Sequence, residues 1–207
     1  MSLVLGSASP RRRELLTRLG VEFEVDPSVA PERRARTGED PSNYALSLAL
    51  TKAEEVAARR PEAVVLSADT VVVLGSTILG KPTTESDAFE MLSLLGGRTH
   101  RVITAVVVGG AGKQCQGVMS TEVTMAQAEK EQFRAYIATG EPMDKAGAYA
   151  IQGLGGALVV GISGCYTNVV GLPLCLTSRL LQEWNIQSAR VRCEHRENAL
   201  PNVEAEL

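Results

Sequence analysis

Apolar residues fall along this chain in two alternating rhythms, short runs of strand length and longer stretches of helical period. Leu3–Leu5 is an apolar run suited to a buried strand, and Gly6-Ser7-Ala8-Ser9 makes a tight polar turn after it. Pro10 is favoured at the first helical position with Ser9 as N-cap, and Leu15, Leu16 and Leu19 give that helix an inward face. Val21–Val25 alternates apolar and acidic residues, which predicts a half-exposed strand. Residues 26–40, with Pro27, Pro31 and the run Arg33-Arg34-Ala35-Arg36, read as a loop. Pro41 opens a long helix to about Arg60, with Tyr44, Leu46, Leu48, Ala49 and Val56 as candidate core. Ala63–Leu74 is the most hydrophobic stretch and predicts a central strand buried on both faces. Thr83 or Thr84 caps a helix through about Leu95; Thr99–Val108 and roughly 115–125 pair as a hairpin; Glu129–Thr139 is a short amphipathic helix. Residues 141–173 are dense in glycine, with strand-like runs at Gly156–Gly161 and Tyr166–Val170, and Pro173 starts a last helix through about Trp184. The pattern ends after Gln187, so 1–187 reads as one domain and 188–207 as a mobile tail without chemistry.

Composition then removes whole classes. A chain of 207 residues with 44% hydrophobic and 22% charged residues can bury a proper core. Its net charge of −3 excludes a general nucleic-acid binder, so any anion site must be a local basic patch. No apolar run approaches the roughly 20 residues of a membrane span, and the N-terminus lacks a signal-peptide pattern. Cys115, Cys165, Cys175 and Cys193 are scattered without a C-x-x-C pair, which favours free thiols, a cytoplasmic location and no cysteine zinc site. With two histidines only, any metal here is hard and oxygen-ligated.

Three features resist a purely structural reading. Arg11-Arg12-Arg13 puts three guanidinium groups in the first turn of a helix, where the dipole repels them and a docked anion would reverse the sign. Asp69 interrupts the greasiest strand, and a buried carboxylate must be paired, metal-bound or facing a cleft. Lys81, held in Gly80-Lys81-Pro82, and Lys52, mid-helix, are further cations. Neither a G-x-x-x-x-G-K-[ST] loop nor a strand-linked G-x-G-x-x-G fingerprint is present, which disfavours P-loop kinases and dinucleotide dehydrogenases. H-E-x-x-H and G-x-S-x-G are absent too. Cations at turns, isolated acids and a glycine-rich region fit a nucleotide's phosphates plus a divalent cation.

Six ordered motifs sharpen this: Ser7-Ala-Ser-Pro-Arg-Arg12, Ala68-Asp-Thr70, Gly80-Lys-Pro82, Gly97-Arg-Thr-His-Arg-Val102, Asp144-Lys-Ala-Gly-Ala-Tyr-Ala-Ile-Gln-Gly153 and Asn168-Val-Val-Gly-Leu-Pro173. Together they resemble Maf proteins over about residues 3–183. The resemblance implies an α/β fold like that of the inosine-triphosphate pyrophosphatases, with an elongated mixed β-sheet, flanking helices and two lobes around a cleft. It implies cleavage of nucleoside triphosphates to the monophosphate and pyrophosphate with a divalent cation, Mg or Mn, and a homodimer as one arrangement. Arg11, Thr70 and Gln152 resemble the branch acting on dTTP and UTP, with CTP or modified pyrimidines as further substrates; the branch acting on 7-methyl-GTP tends to show Trp, Gln and Glu there. A neutral amide such as Gln152 can pair with a pyrimidine's carbonyl and N–H. Two positions depart from the family pattern: Pro31 precedes Glu32 where Asp is usual, and Ser47 stands where Arg is common.

On that resemblance Asp69 is the candidate general base or metal ligand, and Glu32 a second candidate metal ligand. Arg12, Arg13, Lys52 and Lys81 are candidates to neutralise the triphosphate, with Ser7 and Ser9 fixing its phosphates. Two other readings stay open: a 7-methyl-GTP pyrophosphatase, and a nucleotide-binding regulatory module linked to cell division.

Overall fold

The computed structural model describes residues 1–110, 112–189 and 191. Its first element is the three-residue strand β1 (Leu3–Leu5), followed by helix α1 (Pro10–Arg18) with Pro10 in the first turn and Ser9 as N-cap. The alternating 21–25 segment is strand only at its end, β2 (Glu24–Val25). Helix α2 (Pro41–Arg59) starts at Asp40, whose side chain accepts from the amides of Ser42 and Asn43. The hydrophobic stretch forms β3 (Val64–Leu74), and Thr77–Leu79 turns back on it as β4. Thr84, not Thr83, caps α3 (Glu85–Leu95), and Asp87 closes the capping box. The hairpin β5 (Thr99–Gly110) and β6 (Lys113–Met125), helix α4 (Lys130–Ile137) and β7 (Val159–Ser163) follow. The last elements are α5 (Tyr166–Val170) and α6 (Leu174–Glu183).

Two expectations change here. Tyr166–Val170 is a helical turn rather than a strand. Its β-branched composition favours extended backbone, but Gly171 at φ +122° ends the turn and its amide returns to the carbonyls of Thr167 and Asn168, so context overrides propensity. Pro173 is the N-cap of α6 rather than its first residue. The expected tail lies outside the described residues except for Ser188, Ala189 and Val191.

Among the described residues, seven strands form one mixed sheet in the order β2-β1-β3-β5-β6-β7, with β4 on β3. β1 runs parallel to β2 and β3, and the β3–β5–β6–β7 pairings are antiparallel. Side chains alternate across the faces of β3. Residues 65, 71 and 73 face α2, where Val71 and Val73 pack with Tyr44, Leu48, Ala49 and Ala53. Residues 64, 66, 68 and 72 face the other way and serve two separate cores. Val64, Leu66 and Ala68 join the leucines of α1 and α6, while Val72 joins α3, α4 and Tyr149. These cores are the two lobes, hung on opposite ends of the same long strands. No helix among the described residues is long and apolar enough to cross a membrane. Cys115 is a free thiol, but Cys175 is disulfide-bonded, which corrects the free-thiol expectation.

Candidate active site

The cleft opens where the central strand loses a neighbour. On one edge of β3, β1 pairs only as far as Leu66 and β4 begins only at Val72. Residues 67–71 are therefore paired on the β5 side alone. Asp69 sits in the middle of that gap and faces a cleft of about 1040 Å³. A carboxylate is tolerated in this strand because its surroundings are not closed core.

Asp69 lies on the α2 side of the sheet, and α2 supplies its partner. Lys52 is one turn from both Leu48 and Val56, so it shares the buried stripe of its helix rather than the solvent face. Its Nζ donates to Asp69 Oδ1 at 2.5 Å and to Glu32 Oε1 at 2.6 Å. One ammonium thus holds two carboxylates, one from a strand and one from the 26–40 loop. Burial acts to raise the Glu32 pKa, but the Lys52 hydrogen bond and the charges of Lys52, Lys81 and Arg12 outweigh it, and the net shift is downward. Lys81 Nζ is 3.8 Å from Glu32 Oε2 and more than half exposed.

On the opposite face, a polar belt separates the two apolar cores. Thr70 and Thr104 are register partners on β3 and β5 and share a hydrogen bond of 3.0 Å. Thr104 also donates to the Asn168 carbonyl, and Asn168 Nδ2 donates to Val102 O and Thr121 Oγ1. Arg12 closes the belt, with Nε donating to Gly171 O at 2.9 Å, Nη1 to Ser7 Oγ at 3.2 Å and Nη2 to Thr70 Oγ1 at 3.1 Å. Burial pulls its pKa down, Arg11 adds to the fall, and Asp69 and Glu32 oppose it. Arg12 therefore fastens α1, β3 and the turn after α5 around the cleft as well as placing charge in it.

Ser7, Ser9, Arg11, Arg12, Lys52, Lys81, Asp69, Thr70, Glu32 and Gln152 all line this one cleft. Arg13 is exposed and lies outside that lining. Successive helix residues rotate by about 100°, so three consecutive arginines cannot all face one cleft. Asp144, Lys145 and Tyr149, present in the sequence motifs without an assigned site role, and Arg33 line it too. Arg33 pairs with Glu39, lies 4.9 Å over the Tyr44 ring and donates to Ser47 Oγ at 2.7 Å. A guanidinium thus still stands beside position 47, delivered from the loop instead of the helix.

Among the described residues, no group of three or more His, Cys, Asp or Glu converges as a metal site. Two carboxylates do converge, on the Lys52 ammonium. An oxygen-only pair of this kind fits a hard divalent cation that completes its shell with water and phosphate oxygens. Chemically the cleft offers four acids (Glu32, Asp69, Asp87 and Asp144), several cations and an open strand edge, a set suited to moving a proton beside a polyphosphate.

The family model for Maf-like proteins matches residues 2–184. The chain belongs to that family. Curated relatives of this Maf-like chain include a protein named dTTP/UTP pyrophosphatase from Moorella thermoacetica, 51% identical over 181 residues, 86% of this chain and 93% of the relative. Proteins of the same name from Koribacter versatilis (47% over 182 residues, 88% and 94%) and Thermococcus onnurineus (49% over 178 residues, 86% and 95%) match comparably. A crystal structure of a nucleoside-triphosphatase / dITP/XTP pyrophosphatase from Mycobacterium abscessus overlaps this Maf-like fold at a TM-score of 0.39 and 14% identity, over 62% of this chain and 76% of that one, too slight a likeness to weigh.

Proposed function

We propose that this Maf-like protein is a dTTP/UTP pyrophosphatase, cleaving the bond between the α- and β-phosphates to give the nucleoside monophosphate and pyrophosphate. The observation that carries the reading is the Lys52-bridged pair Asp69 and Glu32, facing the cleft that Arg12 and Ser7 also line. The names of relatives about half identical over most of the chain support the substrate class and favour it over 7-methyl-GTP.

In this mechanism water attacks the α-phosphorus and a carboxylate oxygen of Asp69 takes its proton. Lys52 and Lys81 offset the charge that grows on the departing pyrophosphate, and Arg12 orients Ser7 and Thr70 at the cleft wall. Ser7, Ser9 and the first amides of α1 hold phosphate oxygens. A divalent cation held by Asp69 and Glu32 would screen the triphosphate and acidify the bound water. In this reading Arg11, Thr70 and Gln152 serve the nucleoside end, where an amide can pair with the N3–H and C4 carbonyl of thymine or uracil.

A nucleotide substrate favours the cytoplasm, where nucleoside triphosphates are made, although the Cys175 disulfide is unusual for a reducing compartment. The homodimer implied by the family resemblance is checked by sedimentation.

The test is pyrophosphate release from a panel of triphosphates that includes dTTP, UTP, dCTP, GTP and 7-methyl-GTP. Multiple turnover with dTTP and UTP preferred supports the proposal. Asp69→Asn should cost at least about two orders of magnitude in kcat, as removal of a general base does. Binding without turnover would favour a regulatory module, and preference for 7-methyl-GTP would overturn the substrate reading.

A further inference from the structure

Gln152 is exposed on the cleft wall, on a segment with no regular secondary structure, yet an amide that discriminates between bases must be held still. Two side chains outside the cleft lining grip that segment. Tyr136, buried on α4, accepts the Ala150 N–H at its hydroxyl (3.1 Å) and donates the hydroxyl proton to Glu141 Oε1 (2.8 Å). Glu141 then accepts the Gly155 N–H at Oε1 and the Leu154 N–H at Oε2, both at 3.0 Å. The clamp therefore holds the backbone on both sides of Ile151-Gln152-Gly153 and nowhere else in the cleft.

The glycines of the segment fit the clamp closely. A Cβ on Gly153 would run into the Glu141 carboxylate, and one on Gly155 would run into the Tyr136 hydroxyl. Upstream, Tyr149 is pinned by its own hydroxyl against His100 Nε2 at 2.8 Å. Burial pushes the Glu141 pKa up, but the amides of Gly155 and Leu154, the Tyr136 hydroxyl and Lys145 bring it below its ordinary value, so the clamp is a charged acceptor at neutral pH. Charged acceptors make the stronger hydrogen bonds.

We infer that Glu141 and Tyr136 are positioning residues for base recognition, fixing the segment that presents Gln152 to the edge of the pyrimidine bearing N3 and C4. This rests on the reading that Gln152 recognises the base. It assigns to two residues that touch neither phosphate nor cation a part in substrate choice, separate from the bond-breaking groups on β3 and α2.

The experiment compares dTTP with dCTP, which share a pyrimidine ring and sugar and differ in hydrogen-bonding pattern at N3 and C4. Steady-state pyrophosphate release is measured for the parent, Glu141→Gln, Tyr136→Phe, Gln152→Ala and the double variant Glu141→Gln/Gln152→Ala, with circular dichroism and Tm as fold controls. Glu141→Gln should raise KM for dTTP roughly tenfold and lower the dTTP-over-dCTP preference with it, while kcat stays within about twofold. Tyr136→Phe, which deletes one oxygen and tests the clamp independently, should shift the same quantities in the same direction. On the Gln152→Ala background, Glu141→Gln should change the preference no further. Loss of preference in Gln152→Ala but not in Glu141→Gln or Tyr136→Phe would overturn the clamp alone. Unchanged preference in Gln152→Ala would instead overturn the base-reading role of Gln152. A fall in kcat shared equally by both substrates, additive in the double variant, would reduce the clamp to a structural tie.

Discussion

Removing the ammonium that joins the two carboxylates gives the sharpest test of the site's energetics. Lys52→Met keeps the apolar stem on the buried stripe of α2 and deletes the charge. The Lys52 and Asp69 side chains are 14% and 10% exposed, so Asp69 would be left as a nearly buried anion without its partner. Breaking one half of a buried pair costs about 3–5 kcal/mol. Water in the cleft reduces this, so about 2–3 kcal/mol is expected for the Asp69 contact. The Glu32 side chain is 46% exposed and adds only about 0.5 kcal/mol. A total of about 3 kcal/mol lowers Tm by roughly 6–12 °C in a domain of this size. Scanning calorimetry at neutral pH, without divalent cations, reads that shift. Adding Asp69→Asn to Lys52→Met removes the stranded charge and should recover at least about half of the loss. A single variant within about 2 °C of the parent, or a double variant less stable than the single, would refute the argument that this pair is buried and coupled.

Three further outcomes follow from other parts of the molecule. His100 is buried and its pKa is lowered to about 4 from 6.5 by burial, so the folded state resists a proton that the unfolded chain accepts. Its stabilising contribution is complete above pH 6.5 and falls as pH drops towards 4, by up to about 3 kcal/mol; urea unfolding across that window should show the loss, and His100→Gln should flatten it. Gly6→Ala places a Cβ against the Ser67 hydroxyl and 3.3 Å from Val56, at the point where β1 delivers the chain to the cleft. Overpacking of about 1–3 kcal/mol is expected, visible as a lower midpoint in urea at unchanged slope. If Asp69 and Glu32 hold a divalent cation, Mn²⁺ should raise the Tm of the parent, and Glu32→Gln should remove most of that gain; an equal gain in both proteins would take Glu32 out of the site.

What could be read in advance depended on whether a signal was local. Val64–Leu74 announced a buried strand through composition, and Thr83 or Thr84 announced a helix start that the structure assigns to Thr84, with Asp87 closing the capping box. The family motifs brought Ser7, Arg12, Asp69, Thr70, Lys81 and Gln152 to one cleft, as the geometry also does. Lys52 was harder, because its depth follows from standing in line with Leu48 and Val56 opposite an acid 17 residues away. Arg13 falls outside the lining because helical phase, which residue type does not report, turns it away from Arg12. Tyr166–Val170 read as strand because nothing in five residues reports the carbonyls that await the Gly171 amide. The pairing of Tyr136 with Glu141, and of both with backbone 13 or 14 positions on, leaves no trace in hydropathy.

The long strands β3 and β5 stay in register for nine pairs, from Val65↔Gly109 to Val73↔Arg101, and both apolar cores are anchored to them. A girder common to both halves leaves no soft point about which they could swing together. With the Gln152 segment tied down by Tyr136 and Glu141, closure over a nucleotide falls to the 26–40 segment that carries Glu32. Asp69 and Thr70 ride on the stiff frame, whereas Glu32 and Gln152 sit on chain that hangs from it. Exchanging the Gln152 segment can accordingly retune one part of nucleotide preference while Asp69, Thr70 and Lys52 stay where they are.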